Sequence, residues 1–203
     1  MPTPAIWAVT IMNSKAAIRT KILKIRSAIS KEEQNVLEKK LIILWDKLIK
    51  KEYEANKIGI YWSYKSEIST LGIIKKILKE GNDCYLPAII DKKRRKMIFK
   101  EYIHDSKMIE NSFGILEPIG TKEIEIEELD LIILPLIAFD NLGFRVGMGL
   151  GFYDITFSTK KDLLAPLLGL AYDFQEQETC FPENHDLKMD GILTPTKFVK
   201  VQD

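Results

Sequence analysis

The amino-acid sequence predicts a single α/β domain built around a mostly parallel β-sheet. A chain of 203 residues is long enough to bury one sizeable core and fits one domain. A strand predicted at Lys57–Trp62, a helix at Thr70–Glu80 and a second strand at Cys84–Ile90 follow one another at the spacing of a βαβ unit. Leu131–Ile137 is almost wholly apolar, which is typical of a central strand that is covered on both faces.

The composition is that of an ordinary globular protein and argues against two classes of partner. The 30 Lys and Arg residues almost cancel the 29 Asp and Glu residues, so no overall field favours nucleic acid or a membrane surface. No apolar stretch approaches the roughly 20 residues that span a bilayer. Residues 1–12 carry neither a basic start nor a convincing cleavage site for a signal peptide, so we expect a cytoplasmic protein. Cys84 and Cys180 have no CxxC spacing and are expected to be buried, reduced thiols.

Apolar residues at helical spacing predict two helices near the start of the chain. Asn13 or Ser14 can cap the first helix, in which isoleucines recur at helical spacing as far as Ile29. Ser30–Glu33 has the pattern of a capping box and begins a second helix, whose apolar stripe ends at Leu48.

Further elements are predicted along the rest of the chain. Asp91–Lys96 is a basic run, expected to be the solvated tip of a hairpin before Met97–Tyr102. A short helix is expected after Asp154, followed by a strand at Leu167–Tyr172. A tail that contains several prolines ends in Lys197–Val201. No repeat, low-complexity linker or clear domain boundary interrupts this order.

A glycine-rich segment after the apolar strand carries the strongest chemical signal. Within Phe139–Asp154, three glycines alternate at positions 147, 149 and 151. Glycine permits positive φ and close approach of a ligand to the backbone, and successive N–H groups can bind an anion. Arg145 adds a planar fork of donors that suits phosphate. The segment therefore predicts a phosphate-containing ligand beyond the carboxyl ends of the strands, and a glycine turn needed only for packing is the alternative.

Two common nucleotide-binding motifs are absent from this segment. No GK[ST] follows, so the segment is not a Walker A loop, and Phe152 stands where a GxGxxG fingerprint needs its last glycine. The segment, read Gly-x-Arg-x-Gly-x-Gly-x-Gly-Phe-Tyr-Asp from Gly143, instead resembles the signature of the 5-formyltetrahydrofolate cyclo-ligase family, also called methenyltetrahydrofolate synthetases.

Four further segments resemble elements of the same family, in the same order and along nearly the whole chain. They are Lys15–Glu33, Ser66–Thr70, Asn111–Pro118 and His185–Thr194. The resemblance implies a single-domain, three-layer Rossmann-like α/β fold with a mostly parallel central sheet. It also implies a scaffold like that of sugar-phosphate isomerases and CoA transferases.

The resemblance further implies an ATP- and Mg²⁺-dependent ligase. Members of the family convert 5-formyltetrahydrofolate to 5,10-methenyltetrahydrofolate, with release of ADP and phosphate, through phosphorylation of the formyl oxygen. The implied partner is this small-molecule substrate, with or without a polyglutamate tail. A monomer with no nucleic-acid and no membrane partner is expected.

The resemblance also implies roles for individual residues. Lys15, Arg19 and Arg145 are implied to hold ATP phosphates, and Lys15, Arg145 and Tyr153 to be catalytic. The implied ATP-binding residues of the glycine loop are Gly147, Met148, Gly149, Leu150, Gly151, Phe152 and Tyr153. The implied folate contacts are Trp62, Glu67, Met148 and Phe152, and the implied Mg²⁺ ligands are Asp154 and Asp190.

Several of these residues have a plainer interpretation when each is considered alone. Lys15 and Arg19 are four residues apart on one helix face, which is also typical of a solvated basic surface. Asp154 could be a helix N-cap, and Trp62 could be a core residue.

The chain also departs from the family pattern. Leu150 stands where relatives carry Gly or Lys, and Tyr64 stands where Met is frequent beside the pterin. Relatives begin just before the Lys15-type residue, so we expect residues 12–203 to form the domain and residues 1–11 to be an unpacked extension before a natural start at Met12.

Two other functions remain open at this point. One is a non-catalytic folate or nucleotide binder, which Leu150 favours. The other is an enzyme like the isomerases or CoA transferases, with a carboxylate base near the glycines and no need for ATP.

Overall fold

A mostly parallel sheet of eight strands forms the centre of the computed structural model, which describes residues 14–158 and 164–202. The expected extension at residues 1–11, the start at Met12 and the alternative cap Asn13 lie outside the described residues.

The helices and strands of the described residues are as follows. The helices are α1 (Lys15–Ser27), α2 (Lys31–Leu44), α3 (Lys50–Glu52), α4 (Leu71–Lys79) and α5 (Phe152–Ser158), with a π-helical turn at Trp45–Ile49 and 3₁₀ turns at Ile126–Glu128 and Asp173–Gln175. The strands are β1 (Lys57–Ile60), β2 (Asp83–Asp91), β3 (Lys96–Tyr102), β4 (Met108–Glu110), β5 (Leu116–Pro118), β6 (Glu123–Ile124), β7 (Leu131–Leu134), β8 (Ala138–Phe139), β9 (Arg145–Val146), β10 (Leu167–Leu170), β11 (Gly191–Leu193) and β12 (Phe198–Lys200).

The order of strands in the large sheet is β12-β11-β10-β7-β1-β2-β3-β6. Strands β11, β10, β7, β1 and β2 are parallel neighbours, whereas β12, β3 and β6 pair antiparallel toward the two edges. Because the parallel strands run in one direction, their carboxyl ends share one edge of the sheet. Two small antiparallel pairs, β4 with β5 and β8 with β9, lie outside this sheet.

Both faces of the sheet are covered. On one face α2, the π-helical turn and α4 pack against the strands, and Leu41 and Ile74 lie in one buried cluster with Ile60. On the other face Phe157 of α5 lies in a second cluster with Phe99. The chain is thus a mixed α/β domain with its core on both sides of the sheet, as the sequence predicts.

Strand β7 shows why the apolar stretch of the sequence is a central strand. Leu131 and Ile133 point into the first cluster, and Ile132 and Leu134 into the second. The strand is shorter than the predicted Leu131–Ile137, because Pro135 has no N–H to continue the ladder.

Other local predictions are confirmed or corrected. The side chain of Ser14 accepts a hydrogen bond from the Ala17 amide, and Ser30 and Glu33 form a reciprocal capping box. Strand β11 was not predicted, because its three residues gain their extended pairing from β10 rather than from a local pattern. Within the described residues, no helix has the length and apolar character needed to cross a membrane.

Candidate active site

A cavity of about 600 Å³ opens at the carboxyl ends of the parallel strands. Its walls come from the residues after β1 and β7, from one face of α1, and from the loop between β9 and α5. The size is that of a site for a substrate or cofactor. Its position is the one expected of a ligand site in an open α/β sheet.

The loop from Gly147 to Gly151, here called the glycine loop, forms one wall of this cavity. Gly149 and Gly151 have φ of +85° and +70°, which few other residues adopt without strain. The amides of Met148 and Leu150 have no acceptor among the described residues. The loop therefore presents free N–H donors and a backbone conformation suited to an anion, as predicted.

Gly143 belongs to a different feature from the glycine loop. It lies in the turn of the β8–β9 hairpin, where a Cβ would come within 2.5 Å of the Met189 carbonyl oxygen. It does not line the cavity, so the ligand-facing part of the predicted Gly143–Asp154 segment begins at Arg145.

Arg145 and Asp154 form a largely buried ion pair at the base of the glycine loop. Arg145 Nη2 donates to Asp154 Oδ1 at 2.9 Å, and Nη1 donates to the Leu187 carbonyl at 3.4 Å. The Arg145 side chain is 5% exposed and that of Asp154 is 28% exposed. Because α5 begins at Phe152, Asp154 lies inside its first turn, and the interpretation of Asp154 as an N-cap is wrong.

The face of α1 that meets the cavity supplies two further cations. Lys15 Nζ lies 2.5 Å from Asp186 Oδ2 and 3.0 Å from Glu183 Oε1. Arg19 Nε donates to the Gly147 carbonyl at 2.6 Å, and its guanidinium lies against Gly149. Both side chains line the cavity, so the interpretation as a solvated basic surface is wrong.

The ion pair of Lys15 alters the ionisation of both partners. Burial alone would raise the pKa of Asp186, but the hydrogen bond and charge of Lys15 outweigh it, and the pKa is lowered. Burial would likewise lower the pKa of Lys15, but its bonds to Asp186 and Glu183 raise it. At neutral pH Lys15 is therefore a cation and Asp186 an anion.

Glu67 and aromatic side chains line the end of the cavity that follows β1. Glu67 Oε2 accepts a hydrogen bond from the Tyr64 amide at 2.9 Å. Burial raises the pKa of Glu67, while that hydrogen bond and the charge of Arg26 oppose the rise. Burial also raises the pKa of Tyr153, so its hydroxyl stays protonated at neutral pH. Trp62 both lines the cavity and packs against the core, so its two interpretations each hold in part.

The cavity is also lined by Arg95 and Phe113, which could not be identified as site residues from the sequence. Arg95 lines the cavity beside the glycine loop, where a Cβ on Gly151 would be 3.3 Å from Arg95 Nη1. Phe113 packs edge-to-face on Phe152 at 5.8 Å, with Lys92 Nζ 4.5 Å from the Phe113 ring centroid. The basic run is the exposed tip of the β2–β3 hairpin, as predicted, but Arg95 reaches the site. No local pattern could show this, because the glycine loop is more than fifty residues away in the chain.

Asp190 lies away from the other predicted site residues. Its Oδ2 accepts a hydrogen bond from the Leu167 amide at 2.7 Å, at the amino end of β10, and it does not line the cavity. The structure therefore does not bring Asp190 and Asp154 together as a pair of Mg²⁺ ligands. Among the described residues, no group of three or more His, Cys, Asp or Glu side chains could hold a metal ion.

The remaining predicted residues, Met148, Leu150, Phe152 and Tyr153, all line the cavity. The fold and the site together define the class: an α/β protein with a cleft lined by cations and free amides at the carboxyl ends of parallel strands.

Comparisons with known proteins identify the family. A family model described as the 5-formyltetrahydrofolate cyclo-ligase family matches residues 11–195. A 5-formyltetrahydrofolate cyclo-ligase of Haemophilus influenzae is 34% identical over 178 residues, which cover 87% of this chain and 95% of that protein. One of Mus musculus is 28% identical over 92% of this chain and 96% of its own length. The chain belongs to the 5-formyltetrahydrofolate cyclo-ligase family.

A solved structure agrees with this assignment. The 5,10-methenyltetrahydrofolate synthetase of Aquifex aeolicus superimposes with a TM-score of 0.80 and 27% identity, and covers 93% of both chains. A synthetase of Mycoplasma pneumoniae, at 24% identity and a TM-score of 0.71, shares the fold over 89% of this chain and 98% of its own.

Proposed function

We propose that this protein converts 5-formyltetrahydrofolate and ATP to 5,10-methenyltetrahydrofolate, ADP and phosphate. The observation that carries the proposal is a single cavity that holds the glycine loop, Lys15, Arg19 and Glu67, in a chain of the cyclo-ligase family. The two α1 cations and the free amides suit a triphosphate, and the opposite end suits a heterocycle.

The need for ATP follows from the chemistry of the formyl group. The carbon of an N-formyl group is an amide carbon, weakly electrophilic and with no good leaving group. Transfer of the γ-phosphoryl group to the formyl oxygen releases ADP and creates a leaving group. The neighbouring nitrogen, N10, then attacks the formyl carbon and loses its proton, and the C–O bond breaks as phosphate departs. Because this ring closure is intramolecular, correct positioning of N10 alone can lower the activation barrier by roughly several kcal/mol.

This reaction needs no covalent enzyme nucleophile. The two thiols of the chain fit that expectation, because burial raises the pKa of both Cys84 and Cys180 to about 12. The work of the protein is then alignment and charge stabilisation, as in other phosphoryl transfers.

We assign the phosphate groups to the glycine-loop end of the cavity. Arg145 and Arg19 face this end from two sides of the loop. Lys15 would exchange Asp186 or Glu183 for a phosphate oxygen when ATP binds, since each is an anion within 3.0 Å of the same ammonium. Tyr153, protonated and partly buried, would donate a hydrogen bond rather than act as a base.

The donor set fits Mg²⁺ only as an ion shared with the nucleotide. Mg²⁺ is commonly held by one or two carboxylates together with phosphates and water. Asp154 is the carboxylate of the glycine-loop end, and its Oδ2 has no hydrogen-bond donor among the described residues. When bound, the ion would neutralise charge on the phosphates.

We assign the folate to the end of the cavity formed by Glu67 and Trp62, with Met148 and Phe152 bordering both the folate and the phosphates. We further propose a cytoplasmic monomer that accepts folate with or without a polyglutamate tail. The near-zero net charge supports the absence of a nucleic-acid partner. We also propose a three-layer, Rossmann-like arrangement similar to that of sugar-phosphate isomerases and CoA transferases, which the covered sheet supports.

The test is to mix the purified protein with MgATP and 5-formyltetrahydrofolate and to follow methenyl absorbance together with ADP release. We expect both products in equal amounts, and neither when one substrate is omitted. Arg145→Ala should reduce turnover by at least about 100-fold, the scale of losing one preorganised charge contact. Arg94→Ala is the matched control, since Arg94 is exposed and its one ion pair among the described residues is with Asp91 of its own hairpin. Binding of both ligands without turnover would instead favour a non-catalytic binder, which Leu150 at the cavity wall would support.

A further inference from the structure

Arg26 is a buried cation that lies at the inner end of the helix face carrying Lys15 and Arg19. The cavity-facing positions of α1 are 15, 19, 23 and 26, which form one stripe along the helix. At 1.5 Å per residue, Arg26 lies about 16 Å from Lys15 and about 10 Å from Arg19 along the axis. It is therefore at the far end of the cavity from the proposed phosphate site.

The guanidinium of Arg26 has few hydrogen-bond partners among the described residues. The residue is 3% exposed, and the one hydrogen bond of its side chain among the described residues is a long contact of 3.4 Å from Nε to Ser66 Oγ. A guanidinium has five N–H donors, and burying one without partners is costly. Because Arg26 lines the cavity, its remaining donors are available to a ligand there.

The helix dipole does not explain this placement. Arg26 lies in the last turn of α1, where the dipole favours a cation. Lys24 occupies the same turn and serves the dipole equally well from the exposed surface. The dipole accounts for a positive charge in this turn, but not for its burial or for its place in the cavity wall.

Arg26 and Glu67 together present a donor beside an acceptor. Arg26 contacts Ser66, the residue before Glu67, and its charge opposes the rise in the Glu67 pKa that burial produces. One oxygen of Glu67 receives the Tyr64 amide, which leaves acceptor capacity on the carboxylate. A carboxylate and a guanidinium side by side match a heterocyclic edge that has N–H donors next to a carbonyl.

We propose that Arg26 is a substrate-binding residue that donates to the 4-oxo group of the pterin ring, while Glu67 accepts from the adjoining N3–H and 2-amino groups. The inference rests on the proposed folate substrate, whose pterin ring Arg26 would contact. Arg26 thereby makes the site select a 4-oxo pteridine over a 4-amino one, because a 4-amino group would place a donor against a buried donor.

The test compares two ligands on three proteins. The ligands are 5-formyltetrahydrofolate and its analogue with an amino group in place of the 4-oxo group, and affinity is measured by titration calorimetry without ATP. The proteins are the unmodified chain, Arg26→Gln and the matched control Lys24→Gln, which removes an equal charge from the same helix turn.

We expect the unmodified protein and Lys24→Gln to show the same preference for the 4-oxo ligand. In Arg26→Gln the ratio of the two affinities should shift toward the 4-amino ligand by about 10- to 100-fold, the range for a hydrogen bond from a charged donor. The KM for ATP should change by less than about threefold, because Arg26 is about 10 Å along α1 from Arg19.

Three results would overturn the inference. These are an unchanged affinity ratio in Arg26→Gln, a rise in the KM for ATP with no change for folate, or equal affinity of the unmodified protein for both ligands. The last measurement needs no variant, so it can overturn the inference even if Arg26→Gln does not fold. Folate binding without turnover would refute the proposed catalysis and leave the affinity ratio as a valid test of Arg26.

Discussion

The ion pair between Arg145 and Asp154 allows stability and catalysis to be separated. We consider Arg145→Met, which keeps an unbranched stem of similar length, and the double variant Arg145→Met/Asp154→Leu. The single change leaves the Asp154 carboxylate without the Arg145 cation that lies 2.9 Å away and is largely buried. The double change removes both charges, so that no unpaired carboxylate remains.

The expected magnitudes follow from burial. Removing one partner of a fully buried pair costs about 3–5 kcal/mol, whereas an exposed pair contributes about 0–1 kcal/mol. Because Asp154 is 28% exposed and keeps part of its hydration, we expect Arg145→Met to lower the free energy of unfolding by an intermediate amount, about 2 kcal/mol. For a chain of this size that corresponds to a fall in Tm of about 4–8 °C. The double variant should recover to within about 1 kcal/mol of the unmodified protein.

Turnover should behave differently from stability. We expect both variants to lose at least about 100-fold in turnover, since neither presents the Arg145 guanidinium to the phosphates. Thermal unfolding and methenyl formation are measured on the same preparations. Near-normal turnover in either variant would refute the assigned role of Arg145. A double variant that is as unstable as the single one would show that the loss comes from packing and not from the unpaired carboxylate.

Three further predictions concern other parts of the molecule. Burial raises the pKa of Glu67, so the folded state binds the Glu67 proton more tightly than the unfolded state does. The stabilisation that this proton gives is complete below the unfolded pKa and is lost as pH rises through the folded pKa. Glu67→Gln should therefore raise Tm more at pH 8 than at pH 4.5, and it should weaken folate binding. An equal shift of Tm at both pH values would contradict this. Leu150→Lys adds a cation at the cavity wall and should lower the KM for ATP about two- to fivefold at low salt, and no change would argue against phosphates at the glycine loop. Cys84 and Cys180, whose pKa values burial raises to about 12, should not react with a thiol reagent at pH 8 until urea unfolds the chain, and reaction of the native protein would show that either thiol is accessible.

Much of the fold could be predicted because its signals are local. Ser30 and Glu33 are three residues apart, and their capping box depends on nothing else in the chain. The apolar run of β7 predicts burial on both faces for the same reason. Strand β11 escaped prediction because its extended conformation depends on pairing with β10.

The candidate site was predictable in its residues but not in its arrangement. The alternating glycines and Arg145 indicate an anion site from sequence spacing alone. Asp190, implied by resemblance to be a metal ligand, instead accepts the Leu167 amide at the amino end of β10. Its local sequence matches the family element, but no pattern in one segment shows which end of the sheet that segment reaches.

The sequence by itself determined the α/β class, the helix starts and the glycine loop with Arg145, because each depends on residues close together in the chain. The tertiary structure alone decided which groups meet. It placed Lys15 between Asp186 and Glu183, brought Arg95 to the glycine loop, and buried Arg26 beside Glu67. These contacts join segments from about forty to more than 170 residues apart, so they exist only after the strands have paired and the helices have packed on them.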